Sequence, residues 1–239
     1  MRMNRLGNSD LVVSAVGAGT WAMGGDFFGA IDDKKCIDSL GASLDHGVNL
    51  IDTAPIYGKG HSETLVGQAI KGRRDKVVLC TKVGLLFDDP KGRQGKCLQP
   101  DAIEYEIEQS LRRLGTDYID LYLLHWPVPN YMDAWETLMR FYEEKKLRAI
   151  GVSNFQIRHL EALEKAGLLK PAVNQIELHP SFQQRELKPY CEERDIRIEA
   201  WSPLGGSDHL LIDRPEILSI AKKHGKTCLL YTSDAADDK

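Results

Sequence analysis

VNLIDTAPIYG, residues 48–58, decides how this chain is read. A short apolar, β-branched run reads as a strand, yet it ends on the carboxylate of Asp52. Thr53, Ala54 and Pro55 follow, and then Tyr57 beside Gly58. The same format recurs along the chain. Candidate strands lie at 12–20, 48–52, 76–82, 118–125, 148–154, 172–178 and 196–202. Helical spacing separates them, as in Ile103, Ile107, Leu111 and Leu114, or in Ile157, Leu160 and Leu163 with Asn154 placed as a cap. Gly47, Gly72, Gly115 and Gly167 stand where such helices end. Uninterrupted alternation of strand and helix implies parallel pairing with crossovers.

Two architectures answer to that pattern, an open doubly wound sheet and a closed eight-stranded barrel. GAGTWA (17–22) fits the G-x-G-x-x-A dinucleotide pattern, but MGGDFFGAIDD follows it, and the pattern's glycines must open a helix. The barrel fits better. Asp52, Lys82, His125, Ser153 with Asn154, Gln175 and Ser202 each sit at the C-terminal end of a different strand, the face on which barrels build active sites. MNRLGNSDLVVS (3–14) reads as a hairpin around Gly7-Asn8 that plugs the other end.

The 239 residues are 42% hydrophobic and 28% charged, with a net charge of −4 and no basic block. That balance argues against nucleic-acid and membrane partners. Cys36, Cys80, Cys97, Cys191 and Cys228 form no CxxC pair and no zinc spacing, which suggests free thiols in a reducing cytosol and no metal. No N-terminal apolar region and no membrane-length run are readable, so a cytoplasmic location is expected.

CLLYTSDAADDK (228–239) breaks the alternation and looks like a translated sequencing adapter. The expected organisation is one domain over 1–227, an α/β fold of the (β/α)8 TIM-barrel kind with about seven strands, and a non-native or disordered tail at 228–239. The eighth strand and last helix are expected to be missing. Open strand edges favour aggregation, so the chain as written is expected to be unstable or inactive.

Asp52, Lys82 and His125 end neighbouring strands, and Tyr57 follows Asp52 by a short loop. Each alone has an ordinary structural reading: a helix cap, a solvated lysine, a rim histidine, a rim aromatic. Together they suggest proton transfer. A phenol has a pKa of about 10 and is a poor acid near neutrality. A cation about 4 Å away, at an effective dielectric of about 20, is worth about 4 kcal/mol, or about three pKa units. Lys82 is therefore expected to make Tyr57 acidic, Asp52 to keep Lys82 charged, and the pair's partial cancellation to reduce the shift. His125 would orient a carbonyl oxygen.

DTAPIYGKGHSETLVGQAI, TKVG, LYLLHWP, GVSNF and AWSPLGG resemble, in order, the signatures of the aldo-keto reductase superfamily over residues 4 to 227. The resemblance implies a (β/α)8 barrel that reduces small carbonyl substrates with NADPH, NADH being the alternative, and a catalytic quartet of Asp52, Tyr57, Lys82 and His125. It implies that Ser153, Asn154 and Gln175 hold the nicotinamide carboxamide and that Trp201 stacks on its ring. Ser202, Leu204 and Gly205 would approach the pyrophosphate, while Thr20 and Trp21 would border the nicotinamide. Trp21, Phe87 and Trp126 are candidate walls of a substrate pocket. The family's 2′-phosphate cluster falls beyond Thr227, so cofactor preference is not readable. Two other readings are a cofactor-binding regulatory subunit without turnover, against which the retained His125 speaks, and a Schiff-base enzyme using Lys82.

Overall fold

The computed structural model describes residues 1–206 and 211–227, so the segment 228–239 lies outside the described residues. In chain order the strands are β1 (Met3–Arg5), β2 (Val12–Ser14), β3 (Ala18–Gly19), β4 (Leu50–Asp52), β5 (Val78–Val83), β6 (Leu85–Leu86), β7 (Gly95–Lys96), β8 (Ile119–Leu124), β9 (Leu147–Ser153), β10 (Val173–Glu177) and β11 (Arg197–Trp201). The helices are α1 (Asp33–Asp45), α2 (His61–Ala69), α3 (Pro100–Leu114), α4 (Tyr131–Glu143), α5 (Ile157–Lys165), α6 (Leu187–Glu193) and α7 (Pro215–Lys223).

One seven-stranded sheet runs β3, β4, β5, β8, β9, β10, β11, parallel at every junction. Its spatial order is its chain order. A doubly wound sheet must reverse somewhere, and that reversal is where it binds ligand. No reversal occurs here, and one helix follows each strand, which is barrel topology. The chain is an incomplete (β/α)8 barrel: among the described residues no strand joins β3 to β11.

Burial follows from this topology. All six positions of β5 and all six of β8 are buried, because parallel strands are covered on both faces. Period-two alternation then sorts the side chains. Leu50, Val78, Cys80, Leu121, Leu123, Ala149 and Val173 meet inside the sheet's curve, while Ile51 and Leu79 face α1 and α2. Leu6, Leu11 and Val13 of the β1–β2 hairpin join the inner cluster, so the hairpin plugs the N-terminal end of the barrel as its sequence suggested. A Cβ at Gly7 would lie 2.3 Å from the Ala172 carbonyl oxygen, and φ there is +47°; only glycine lets the turn sit this close.

The expected strand over 12–20 is two elements. Val12–Ser14 pairs with the plug and Ala18–Gly19 with the barrel. Ser14 Oγ donates to the Val16 carbonyl (2.8 Å) and bends the chain between them. One continuous strand could not serve both the plug and the wall.

Helix α3 ends as anticipated at Gly115, left-handed at φ 65°. It also buries an acid. Glu106 Oε2 accepts the Gly84 N–H (2.9 Å), while Oε1 has no partner. Burial pushes this carboxyl up to about 8, against the opposing pull of the Gly84 hydrogen bond. A carboxyl raised on folding is ionised in the unfolded chain and neutral in the folded one across that window. The stability it contributes is complete below an ordinary carboxylate pKa, and it is lost as pH rises toward 8. Urea unfolding at about pH 5 and about pH 8 should show wild type losing on the order of 2 kcal/mol more than Glu106→Gln, which keeps an acceptor for Gly84. Equal losses in the two proteins would contradict this.

Candidate active site

Alternation also builds the site. Counting by twos, Asp52 continues the inner face from Leu50, Lys82 from Val78 and Cys80, and His125 from Leu121 and Leu123. Ser153 continues it from Ala149, and Gln175 from Val173. These residues converge at the C-terminal ends of their strands.

At the centre lies an ion pair. Lys82 Nζ donates to both oxygens of Asp52 (2.8 Å each), to the Thr53 carbonyl (2.9 Å) and to Tyr57 Oη (3.3 Å). Lys82 has no solvent exposure, and Asp52 has little. Burial pulls the Lys82 ammonium down, but Asp52, Tyr57 and Cys80 together raise it above its ordinary value. A charged ammonium with its donors committed to Asp52, Thr53 and Tyr57 is a poor nucleophile, which counts against the Schiff-base reading.

Tyr57 is carried by a tight turn. Its N–H donates to Ala54 O (3.1 Å), and the Gly60 N–H donates to Pro55 O (2.7 Å). The expectation that Lys82 makes this phenol acidic is overturned in sign. Burial raises its pKa above the ordinary value; Lys82 pulls it down by charge and hydrogen bond, Asp52 pushes it up, and burial prevails. Tyr57 therefore holds its proton, and the Lys82 N–H occupies one lone pair of Oη.

The His125 ring lies edge-on to Tyr57 (centroids 6.3 Å) and stacks on Trp126 (6.5 Å, 14° between planes). Burial holds its pKa well below the ordinary histidine value, and the charges of Lys82 and Lys96 push the same way. The imidazole is neutral near pH 7, so one ring nitrogen donates and the other accepts.

Around this core, Gln175 Nε2 donates to Asp52 Oδ2 (2.8 Å) and to Glu199 Oε1 (2.8 Å). No donor among the described residues reaches Gln175 Oε1. Ser153 Oγ donates to Gln175 O (3.0 Å). Asn154 is not a helix cap. It stands in the left-handed region (φ 63°), donates to His125 O (3.2 Å) and Ser153 Oγ (3.0 Å), and accepts the Trp201 indole N–H (3.0 Å). Helix α5 is capped instead at Gln156, whose N–H is accepted by His159 Nδ1 (3.0 Å). Thr20 lies beneath the cleft, fully buried: its hydroxyl donates to Asp52 O (2.9 Å) and accepts from Ser62 Oγ (2.8 Å). Ser202, Leu204 and Gly205 belong to the turn after β11, where Ser202 (φ 50°), Gly205 (φ 95°) and Gly206 (φ 69°) are left-handed.

The aromatic wall differs in part from expectation. Trp21 lies against Tyr57 (6.2 Å) and is met edge-on by Phe27 (5.7 Å) and Phe28 (5.2 Å), both exposed. Phe87 instead packs beneath the Arg113 guanidinium (5.6 Å), which is ion-paired with Glu63 of α2. The loops bearing Trp21 and Tyr57 touch through bare backbone: a Cβ on Gly58 would fall 2.3 Å from Gly24 O, and one on Gly24 would fall 2.5 Å from Gly58 N. Asp26 Oδ2 clamps the same junction by accepting the Gly58 N–H (3.0 Å).

Sequence reading missed Glu199, Lys96, Phe27 and Phe28. Glu199 had a signal, since it precedes Trp201 by two residues and so shares its face. Burial, then the nearby Asp52 charge, pushes Glu199 up to about 7, against Lys82 and Gln175, which lower it. Lys96 had no signal, because it reaches the site only through the β6–β7 hairpin.

These residues fit a nicotinamide cofactor. Gln175 Oε1 accepts from no donor among the described residues while its Nε2 is engaged, the Trp201 ring is a flat face pinned by Asn154, and the turn at 202–206 has the left-handed residues of an anion-binding backbone nest. Among the described residues no group of three or more His, Cys, Asp or Glu could hold a metal ion, and no helix is long and apolar enough to cross a membrane.

A family model described as the aldo/keto reductase family matches residues 15–211. A 9,11-endoperoxide prostaglandin H2 reductase of Trypanosoma cruzi is 41% identical over 217 residues, 89% of this chain and 70% of that protein. A glyoxal reductase of Bacillus subtilis is 40% identical over 198 residues, 81% of this chain and 66% of that protein, so the chain spans about two thirds of these relatives. The crystal structure of an aldo-keto reductase from Klebsiella pneumoniae in complex with NADPH superposes with a TM-score of 0.78 at 32% identity, covering 96% of this chain and 80% of that one.

The ion pair makes a prediction. Asp52→Asn leaves Lys82 buried without a counter-charge and should cost about 3–5 kcal/mol in urea unfolding. Asp52→Asn with Lys82→Met should recover part of that loss. A double variant less stable than the single one would show that the cost arises elsewhere.

Proposed function

The chain belongs to the aldo/keto reductase family, and on that premise we propose that it reduces aldehydes or ketones to alcohols with a nicotinamide cofactor. NADPH is the cofactor proposed, as in the Klebsiella structure; NADH is the alternative. The observation that carries the reading is Lys82 Nζ, held charged by Asp52, donating to Tyr57 Oη at the rim of the barrel.

A bound reduced nicotinamide would supply the hydride that reaches the carbonyl carbon. Tyr57 gives its proton to the carbonyl oxygen as negative charge develops there. Burial keeps that proton in place at neutral pH, so the acid is loaded before substrate arrives. As the proton leaves, the Lys82 ammonium stabilises the phenolate, an interaction stronger in the transition state than before it. Lys82 thus acts on the charge that forms more than on the resting phenol. His125, neutral, donates one ring N–H to the same oxygen and orients the carbonyl. Asp52 keeps Lys82 charged and fixes Gln175.

Gln175 Oε1 would accept an amide N–H of the carboxamide, and Trp201 would present its face to the ring. Ser153 and Asn154 border that site, with Asn154 holding Trp201. Ser202, Leu204 and Gly205 would offer the pyrophosphate their turn. Thr20 supports Asp52 from below, and Trp21 and Trp126 wall the carbonyl pocket. The substrate class proposed is small carbonyl compounds, in keeping with the glyoxal named for the Bacillus relative.

Loss of NADPH absorbance with 4-nitrobenzaldehyde tests the proposal. Where the chain turns over, kcat/KM should be level from about pH 6 to about pH 9, because a phenol raised above its ordinary value stays protonated there. Tyr57→Phe should lower kcat roughly 100-fold or more while quenching of protein fluorescence by NADPH persists. Unimpaired turnover by Tyr57→Phe would overturn the assignment. A folded chain that binds NADPH without turnover would favour the regulatory-subunit reading, and an unfolded or inactive one the expectation drawn from the open strand edges.

A further inference from the structure

We infer that Lys96 is a substrate-anchoring residue, selecting carbonyl compounds that carry an anionic group, carboxylate or phosphate, about one ring's length from the carbonyl. The inference rests on the reductase reading of the site and names its substrate class.

Lys96 is exposed, yet it is placed. Its Nζ lies 4.6 Å from the centroid of the Trp126 ring, and Trp126 stacks on His125. The hairpin beneath is fixed at both ends. Lys96 pairs with Leu85, the Cys97 N–H donates to Gly84 O (3.2 Å), and the Gly84 N–H donates to Glu106. The loop's carboxylates are engaged elsewhere. Arg93 clasps Asp89 and Asp101, Lys91 also holds Asp101, and Asp88 lies 3.9 Å from Arg113. Among the described residues Lys96 has no salt bridge. The other cation of the site, Lys82, is neutralised by Asp52. Among the described residues, an ammonium without a counter-charge therefore stands one ring away from the imidazole that orients the carbonyl. Its field already reaches that imidazole, helping to hold His125 neutral. A substrate with its carbonyl between Tyr57 and His125, lying along Trp126, brings a distal anion to Lys96. A neutral substrate makes the same ring contacts and gains nothing from the charge.

The test compares kcat/KM for 4-carboxybenzaldehyde, 4-formylphenyl phosphate and methyl 4-formylbenzoate, with NADPH, in wild type, Lys96→Met and Lys96→Arg. Wild type should favour the anions over the ester by roughly tenfold, the scale of one charge-assisted contact, and added salt should shrink the preference. Lys96→Met should abolish it through KM, the ester falling far less than the anions, while Lys96→Arg retains it. A preference for only one anion assigns the anchor to that anion. Equal activity on anions and ester in wild type, or equal losses in Lys96→Met, would overturn the inference. Quenching of tryptophan fluorescence by terephthalate gives a readout free of turnover, and Lys96→Met should weaken it. If a folded chain that binds NADPH reduces no aldehyde, the ester included, the reductase reading fails; the terephthalate titration still decides Lys96, and unchanged quenching in Lys96→Met overturns it.

Discussion

A single buried ion pair carries the upper half of this barrel. An isolated ammonium in an apolar interior sheds its proton to escape desolvation. Lys82 escapes that fate because Asp52 accepts from it with both oxygens. Asp52 is in turn held from several sides. Its backbone carbonyl takes the Thr20 N–H and hydroxyl, and its carboxylate takes Gln175. Gln175 passes the connection on to Glu199. The pair is thus a knot joining β3, β4, β5, β10 and β11, so the contacts that hold the sheet's curve are those that aim the candidate catalytic groups.

The fold was legible because its signals are local. An apolar run closed by a polar residue, then a helix closed by glycine, repeats often enough that only strand order remained to be decided. The candidate site was legible for a related reason: strand alternation puts Asp52, Lys82, His125 and Gln175 on one face at one end. What escaped were contacts that depend on loops. Lys96 reaches Trp126 across a hairpin held by the Cys97 N–H to Gly84 O bond and by the Arg93–Asp89 clasp in its loop, contacts that no strand or helix period announces. Phe87, in the same loop, is drawn beneath Arg113. The segment 12–20 opens on valines and is largely apolar, but two surfaces compete for it and divide it in two.

The tyrosine shows why the sign of an electrostatic effect cannot be read from a list of neighbours. A lysine beside a phenol should acidify it, and Lys82 does pull in that direction. The enclosure that brings the lysine so near also strips water from the phenolate, and that loss is larger. The outcome suits a proton donor. A resting acid that has not ionised stays ready over a wide pH range, and the ammonium's benefit is held back until charge appears on the oxygen.

The meeting of Gly24 and Gly58 has a consequence for anyone remodelling this barrel. Where Gly24 and Gly58 meet, main chain lies against main chain with no room for a Cβ on either side, so no side-chain rearrangement can absorb a change there. The peptides bearing Trp21 and Tyr57 therefore form one inseparable module. Grafting either from another enzyme brings a foreign backbone path against an unyielding surface, so loop exchange at this corner must transplant both halves at once.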